Sequence, residues 1–305
     1  MTAFRTSLNF LATVAAMFFM VSMVDAATKR VNCNSSGTLN SAIGKLKPGD
    51  TLLVSGVCNE TVFIGPELSR VVLDGQGTAT INGPDAGTNT VTIRGRGITI
   101  RGFTITGGNR GIQVGRGGEA TIDGNTIEST GGEGIQVFNG ASARILNNTI
   151  QNNPDHGIFI VGTSMADIGI SAASQAVPDT NTIQNNSGDG ILVSRGSSAR
   201  IMGNTISNNT SSGIAVDSNS VADTASNTIN ANGDNGIHVL RNSSVRLGRD
   251  NGTTLTTAPN STTVNNVGAG VRCRINGSVD GQRGTLNGTA GAVDSAAGCF
   301  DSTIP

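Results

Sequence analysis

The 305-residue chain has no tryptophan and no tyrosine, and four of its nine phenylalanines (Phe4, Phe10, Phe18, Phe19) fall in the first 19 residues. A core built on large aromatic rings is therefore excluded, and burial must come from rows of Ile, Val and Leu. Charged residues make up only 13% of the chain and the net charge is −1, so no basic face is available for nucleic acid or an anionic membrane. Beyond residue 26 no apolar run is long enough to cross a bilayer. There is no Cys-x-x-Cys and no Cys–His spacing, so no metal site is expected.

The first 26 residues are expected to be a signal peptide. Arg5 gives a positive start, Leu8 to Val24 is largely apolar, and Val24-Asp25-Ala26 offers small residues for cleavage near Ala26. The mature protein is then extracytoplasmic, secreted or periplasmic, where disulfides persist. Cys33 and Cys58 lie near one end of the mature chain and Cys273 and Cys299 near the other, so two local bridges are the natural pairing. Each bridge would contribute about 3 kcal/mol by constraining the unfolded chain.

What the chain does have is rhythm. Gly-aliphatic steps recur at Gly111-Ile112, Gly134-Ile135, Gly157-Ile158, Gly190-Ile191, Gly213-Ile214, Gly236-Ile237 and Gly270-Val271, separated by 23, 23, 33, 23, 23 and 34 residues. Asn-Thr-Ile keeps the same beat from Asn125, Asn148, Asn181, Asn204 and Asn227. Such a period marks stacked repeats. Within each period three short alternating segments, Gly-Ile-x-Val, Ala-Arg-Ile and Asn-Thr-Ile, are too short for helices and are bounded by turn residues. The pattern predicts an all-β chain, a right-handed parallel β-helix with three strands per ~23-residue coil, in which residues one period apart stack about 4.8 Å apart.

Three columns then point inward: Ile112 to Ile237, Val114 to Val239, and Ile127 to Ile229. The Asn column marks a corner, where amides bond to each other and to turn backbone. An outward column reads Thr121, Arg144, Asp167, Arg200, Asp223 and Arg246, whose alternating signs suit fixing of coil register. A Thr column (Thr104, Thr126, Thr149, Thr182, Thr205, Thr228) has a mixed neighbouring row, which argues against ice binding. Leu39, Ile43 and Leu46 at helical spacing predict a short helix over the open end. The expected organisation is signal peptide 1–26, N-terminal cap 27–50, β-helix 51–280 and C-terminal cap 281–305.

Lys47-Pro48-Gly49-Asp50-Thr51-Leu52, with the aliphatic rows and both beats, resembles secreted right-handed parallel β-helix proteins of the pectin-lyase-like superfamily. The resemblance implies the fold and a link to polysaccharides, through lyases, epimerases, hydrolases or adhesins. The Asn-Thr-Asp, Asp-Asp and Gly-His-Gly pattern of polygalacturonases is absent, so no catalytic residue is carried over.

One corner stands out instead. Immediately before successive glycines come Arg110, Glu133, His156, Asp189, Ser212 and Asn235, with Asp155 and Asp234 one residue earlier. Glu133, His156 and Asp189 stacked at coil spacing form a candidate catalytic row, since neighbouring ionisable groups shift one another's pKa. Gln136, Phe138, Asp155 and Phe159 are the candidate substrate-binding residues beside it, with Phe138 and Phe159 diagonal neighbours on one face, about 7–8 Å apart at the backbone. Extra residues near 169–180 and 248–261 fall at one corner and would wall a groove. The expected function is polysaccharide binding or a surface scaffold, with a carbohydrate-active enzyme as the alternative. A monomer without an evident cofactor is expected, and calcium has no obvious ligand set.

Overall fold

The computed structural model describes residues 26–171, 177–248, 258–296 and 299–304, so the expected signal peptide and parts of both insertions lie outside the described residues. Ten short strands, from Val62–Ile64 to Val293–Ser295, lie side by side in chain order as one parallel sheet, here the first-strand face. The second and third strands of each coil form two further faces. They merge into one 18-stranded sheet because Val72–Gly83 and Ile98–Gly107 run unbroken through the corner, with a register shift between Asp74 and Ala79.

The vertical register is the one the period dictates. Ile135 pairs with Ile112 below and Ile158 above, and Ile127 stacks on Ile150. Every member of the three apolar columns is fully buried. Each contributes about 1.5–3 kcal/mol of burial free energy before chain entropy is set against it. The glycine before each first strand is required by close approach. At Gly190 an added Cβ would sit 2.6 Å from both the Gly213 carbonyl oxygen and Ile206 Cγ2.

Polar ladders hold the corners. Asn148 Nδ2 donates to Asn181 Oδ1 (3.0 Å) and to the Ile122 carbonyl (2.8 Å), and the same bonds repeat from Asn125 to Asn260. A second ladder, Asn153, Asn186, Asn209, Asn232 and Asn266, lines the corner between third and first strands. A serine ladder, Ser164, Ser197, Ser220 and Ser243, lines the remaining corner. These buried side chains satisfy backbone groups that a sharp bend leaves without a strand partner.

Both ends carry more solenoid than the pattern predicts. Thr28–Asn32 already stacks in parallel on Thr51–Ser55, and Val293–Ser295 and Phe300–Ile304 continue the coil inside the expected C-terminal cap. The helix is Leu39–Ile43, capped by Thr38; Leu39 and Ile43 are buried and Leu46 falls beyond the helix end. The Glu60 carboxylate accepts from the backbone N–H of Leu39 (2.6 Å) and Asn40 (3.0 Å), satisfying two of its free donors. Bridges Cys33–Cys58 and Cys273–Cys299 are both formed.

Candidate functional site on the first-strand face

The corner between the third and first strands brings together part of the expected row. The backbone N–H of Asp189 donates to His156 Nδ1 (2.9 Å), which puts the ring proton on Nε2. Nε2 lies 3.4 Å from Asp155 Oδ1, and Nδ1 lies 3.5 Å from Asp189 Oδ2. His156 therefore presents a donor and has no free lone pair for proton abstraction. Burial raises the Asp189 carboxyl above its ordinary value of 3.8, with Asp234 and Asp155 adding to the rise against the opposing pull of His156 and the Ser212 N–H. Phe159 packs on the imidazole, ring centroids 5.5 Å apart and tilted by 49°.

Three expected members stand differently. Glu133 is buried, with Oε2 2.7 Å from Arg110 Nε and Oε1 accepting from Gln136 Nε2 (3.2 Å). Gln136 is buried too and accepts from Gln113 Nε2 (2.7 Å). These two polar groups are turned toward the preceding coil, because Arg110 and Gln113 are their partners there. Phe138 pairs with Val161 and so stands diagonal to Phe159 in the strand register. Its ring leans back over Gly115, where an added Cβ would come 1.9 Å from it. The aromatic pair on this face is His156 with Phe159.

Further along the face lies a cluster that the column reading passed over. His238 has Ala215 and Arg272 as direct lateral neighbours. Burial pushes the His238 imidazole below its ordinary 6.5, and Arg272 and Arg274 add to that, while Asp234 and Asp217 oppose it. Asp217 Oδ2 holds Arg241 Nη1 at 2.7 Å, but Asp217 Oδ1, Arg272 Nε and Asn235 Nδ2 are buried without a hydrogen-bond partner among the described residues. Arg274 and Asp294 pair at the end of this cluster, which holds the Asp294 carboxyl below its ordinary value. The signal was legible in the row Gln113, Gln136, Phe159, Leu192, Ala215, His238, Arg272, where one of only two histidines sits beside an arginine.

A further recess lies on another face. A shallow trough of about 550 Å³ runs along the second-strand face, over Ala120, Ala143, Ala166, Ala199 and Ala222. Among the described residues no group of three or more His, Cys, Asp or Glu side chains could hold a metal ion. No helix there is long and apolar enough to cross a membrane.

Comparison with known proteins agrees with this geometry. The sequence matches the right-handed β-helix region family over residues 89–251 and 163–282. The chain belongs to the right-handed β-helix family. Among solved structures this β-helix resembles pectate lyase Pel9A, with a TM-score of 0.58 and 12% identity over 89% of this chain and 80% of that one. It also resembles a double mutant of the periplasmic alginate epimerase AlgG, with a TM-score of 0.52 and 14% identity over 91% and 76%. At such identities the likeness establishes the pectin-lyase-like fold and nothing finer. No curated protein matches the sequence.

Proposed function

We propose that this β-helix binds an extracytoplasmic polysaccharide along its first-strand face, at Asp155, His156, Phe159 and Asp189. The observation that carries the reading is the His156–Phe159 pair at 5.5 Å, flanked by a half-exposed Asp155. Sugars present apolar ring faces edged by hydroxyls; an aromatic ring meets the first and carboxylates accept from the second. The committed Nδ1 of His156 suits a hydroxyl-binding donor better than a general base. In this reading Glu133 and Gln136 brace Arg110 and Gln113 beneath the strip, and Phe138 extends the apolar surface over Gly115. Two features support it: both similar structures carry polysaccharide-acting names, and the two disulfides suit an oxidising compartment.

The test is affinity electrophoresis through gels containing neutral or uronate polysaccharides, with and without calcium. Phe159→Ala is expected to abolish retardation, weakening binding at least about tenfold, as loss of an aromatic anchor does. Thr205→Ala, on the third-strand face, leaves it unchanged. Lack of retardation of the unaltered protein by any glycan would overturn the proposal.

A second reading, a carbohydrate-active enzyme, is favoured by His238. An imidazole held neutral beside a guanidinium combines a proton acceptor with a group that can neutralise a uronate carboxylate. Incubation with uronate polysaccharides, read by absorbance of unsaturated ends and by proton NMR of sugar configuration, tests it. Product that is lost in His238→Ala supports catalysis, and no product from any uronate polymer rejects it.

A further inference from the structure

The geometry points to a second copy of this chain as the occupant of the second-strand face, with the two solenoids antiparallel. The outward column continues one coil past the repeats, so that Arg144, Asp167, Arg200, Asp223, Arg246 and Asp280 follow one another as direct lateral neighbours. The signs run plus, minus, plus, minus, plus, minus. Reversing that order turns every plus into a minus. A copy related by a two-fold axis along the strand direction therefore sets Arg144 against the partner's Asp280, Asp167 against its Arg246, and Arg200 against its Asp223. A parallel copy in register would oppose like charges along the whole row. Self-complementarity under reversal is what an isologous interface needs.

The neighbouring outward row fits the same axis. It reads Ser142, Met165, Ser198, Val221, Ser244 and Ser278 in the same coils. Met165 and Val221 are exposed, at 60% and 50%, and under the two-fold they meet Ser244 and Ser198. Large side chains thus face small ones, and the trough between the rows runs along five of the six coils of the contact, from Ser142 to Arg246. Within one chain Arg246 pairs with Asp223 through two hydrogen bonds and Arg200 lies 3.6 Å from Asp167. Docking would extend these pairs into a charge network across the two chains, the arrangement in which surface ion pairs contribute most. Six coils by one strand give a patch of about 29 Å by about 16 Å, a small interface that predicts a weak, salt-sensitive dimer.

Sedimentation equilibrium of the full chain over a wide concentration range tests this. Dimer is expected at high concentration and its fraction should fall as salt rises from about 0.05 to about 0.5 M. Arg200→Asp places two like-charge contacts across the axis and should weaken association at least about tenfold. Adding Asp223→Arg to that variant restores opposite signs across the axis and should recover association, although it leaves like charges stacked within each chain. Arg144→Glu, at the exposed end of the row, weakens association without touching either internal pair, and thermal melting by circular dichroism checks that each variant is folded. A protein that stays monomeric at all concentrations, or a dimer indifferent to Arg200→Asp and Arg144→Glu, would overturn the proposal.

Discussion

Replacing Asn181 by alanine is expected to destabilise the middle of the solenoid by about 3 kcal/mol, and the figure can be built bond by bond. The Asn181 side chain is fully buried. Its Oδ1 accepts from Asn148 N (2.9 Å) and Asn148 Nδ2 (3.0 Å), and its Nδ2 donates to the Ile145 carbonyl (2.8 Å) and Asn204 Oδ1 (2.8 Å). Most of those partners keep another bond. Ile145 still accepts from Gly169 N–H, Asn148 Nδ2 still reaches Ile122, and Asn204 Oδ1 still accepts from Asn181 N–H. The Asn148 backbone N–H alone is left buried and unpaired. One orphaned donor costs about 1–3 kcal/mol, and the other lost bonds add about 1 kcal/mol more. Urea unfolding should show the lowered midpoint, and amide exchange at Asn148 should quicken by about two orders of magnitude. Thr205→Ala, an outward neighbour of the same ladder, should change stability by less than about 0.5 kcal/mol. A cost for Asn181→Ala no larger than that would refute the view that corner amides stabilise the coil.

Three further outcomes follow from the same structure. Because the Asp189 carboxyl is raised above 3.8, its contribution to stability is fully present below that pH and is lost as pH rises through the folded value, so Asp189→Asn should melt higher than the parent at neutral pH and equally below 3.8. Asp50 is the opposite case: the hydrogen bond from Lys29, then those from Lys47 and Ala27, lower it from 3.8 to about 2. Its stabilisation is present above 3.8 and fades as pH falls through about 2, so the melting deficit of Asp50→Asn should shrink over that range. Removing the Cys33–Cys58 bridge by double serine substitution should cost about 3 kcal/mol and open the Leu39–Ile43 segment to proteases first.

The backbone architecture was legible because parallel stacking turns sequence period into spatial contact. Ile135 and Ile158 sit one above the other for the same reason that they stand 23 residues apart. The Asn125–Asn227 ladder was readable on the same ground, and both disulfides were readable from the placement of two cysteines near each end of the mature chain. The second ladder, from Asn153 to Asn266, keeps an equally regular spacing and was passed over because its residues lie among other polar turn residues. Side-chain direction was not legible. The period places Glu133 beside His156, but whether its carboxylate faces the next coil or Arg110 depends on rotamers chosen by local hydrogen bonds. The same holds for Phe138, drawn over the bare backbone of Gly115. The strands Thr28–Asn32 and Val293–Ser295 inside the two expected cap segments were not legible, because neither carries the Gly-Ile or Asn-Thr-Ile beat.

Hydrogen–deuterium exchange of the β-helix with and without a saturating oligosaccharide, drawn from the polymer that retards it in gels, locates the sugar most directly. Slower exchange confined to residues 133–160 and 188–192 is the expected result. Protection that instead follows the second-strand face, or a ligand that protects no segment at all, would contradict a binding strip at His156 and Phe159.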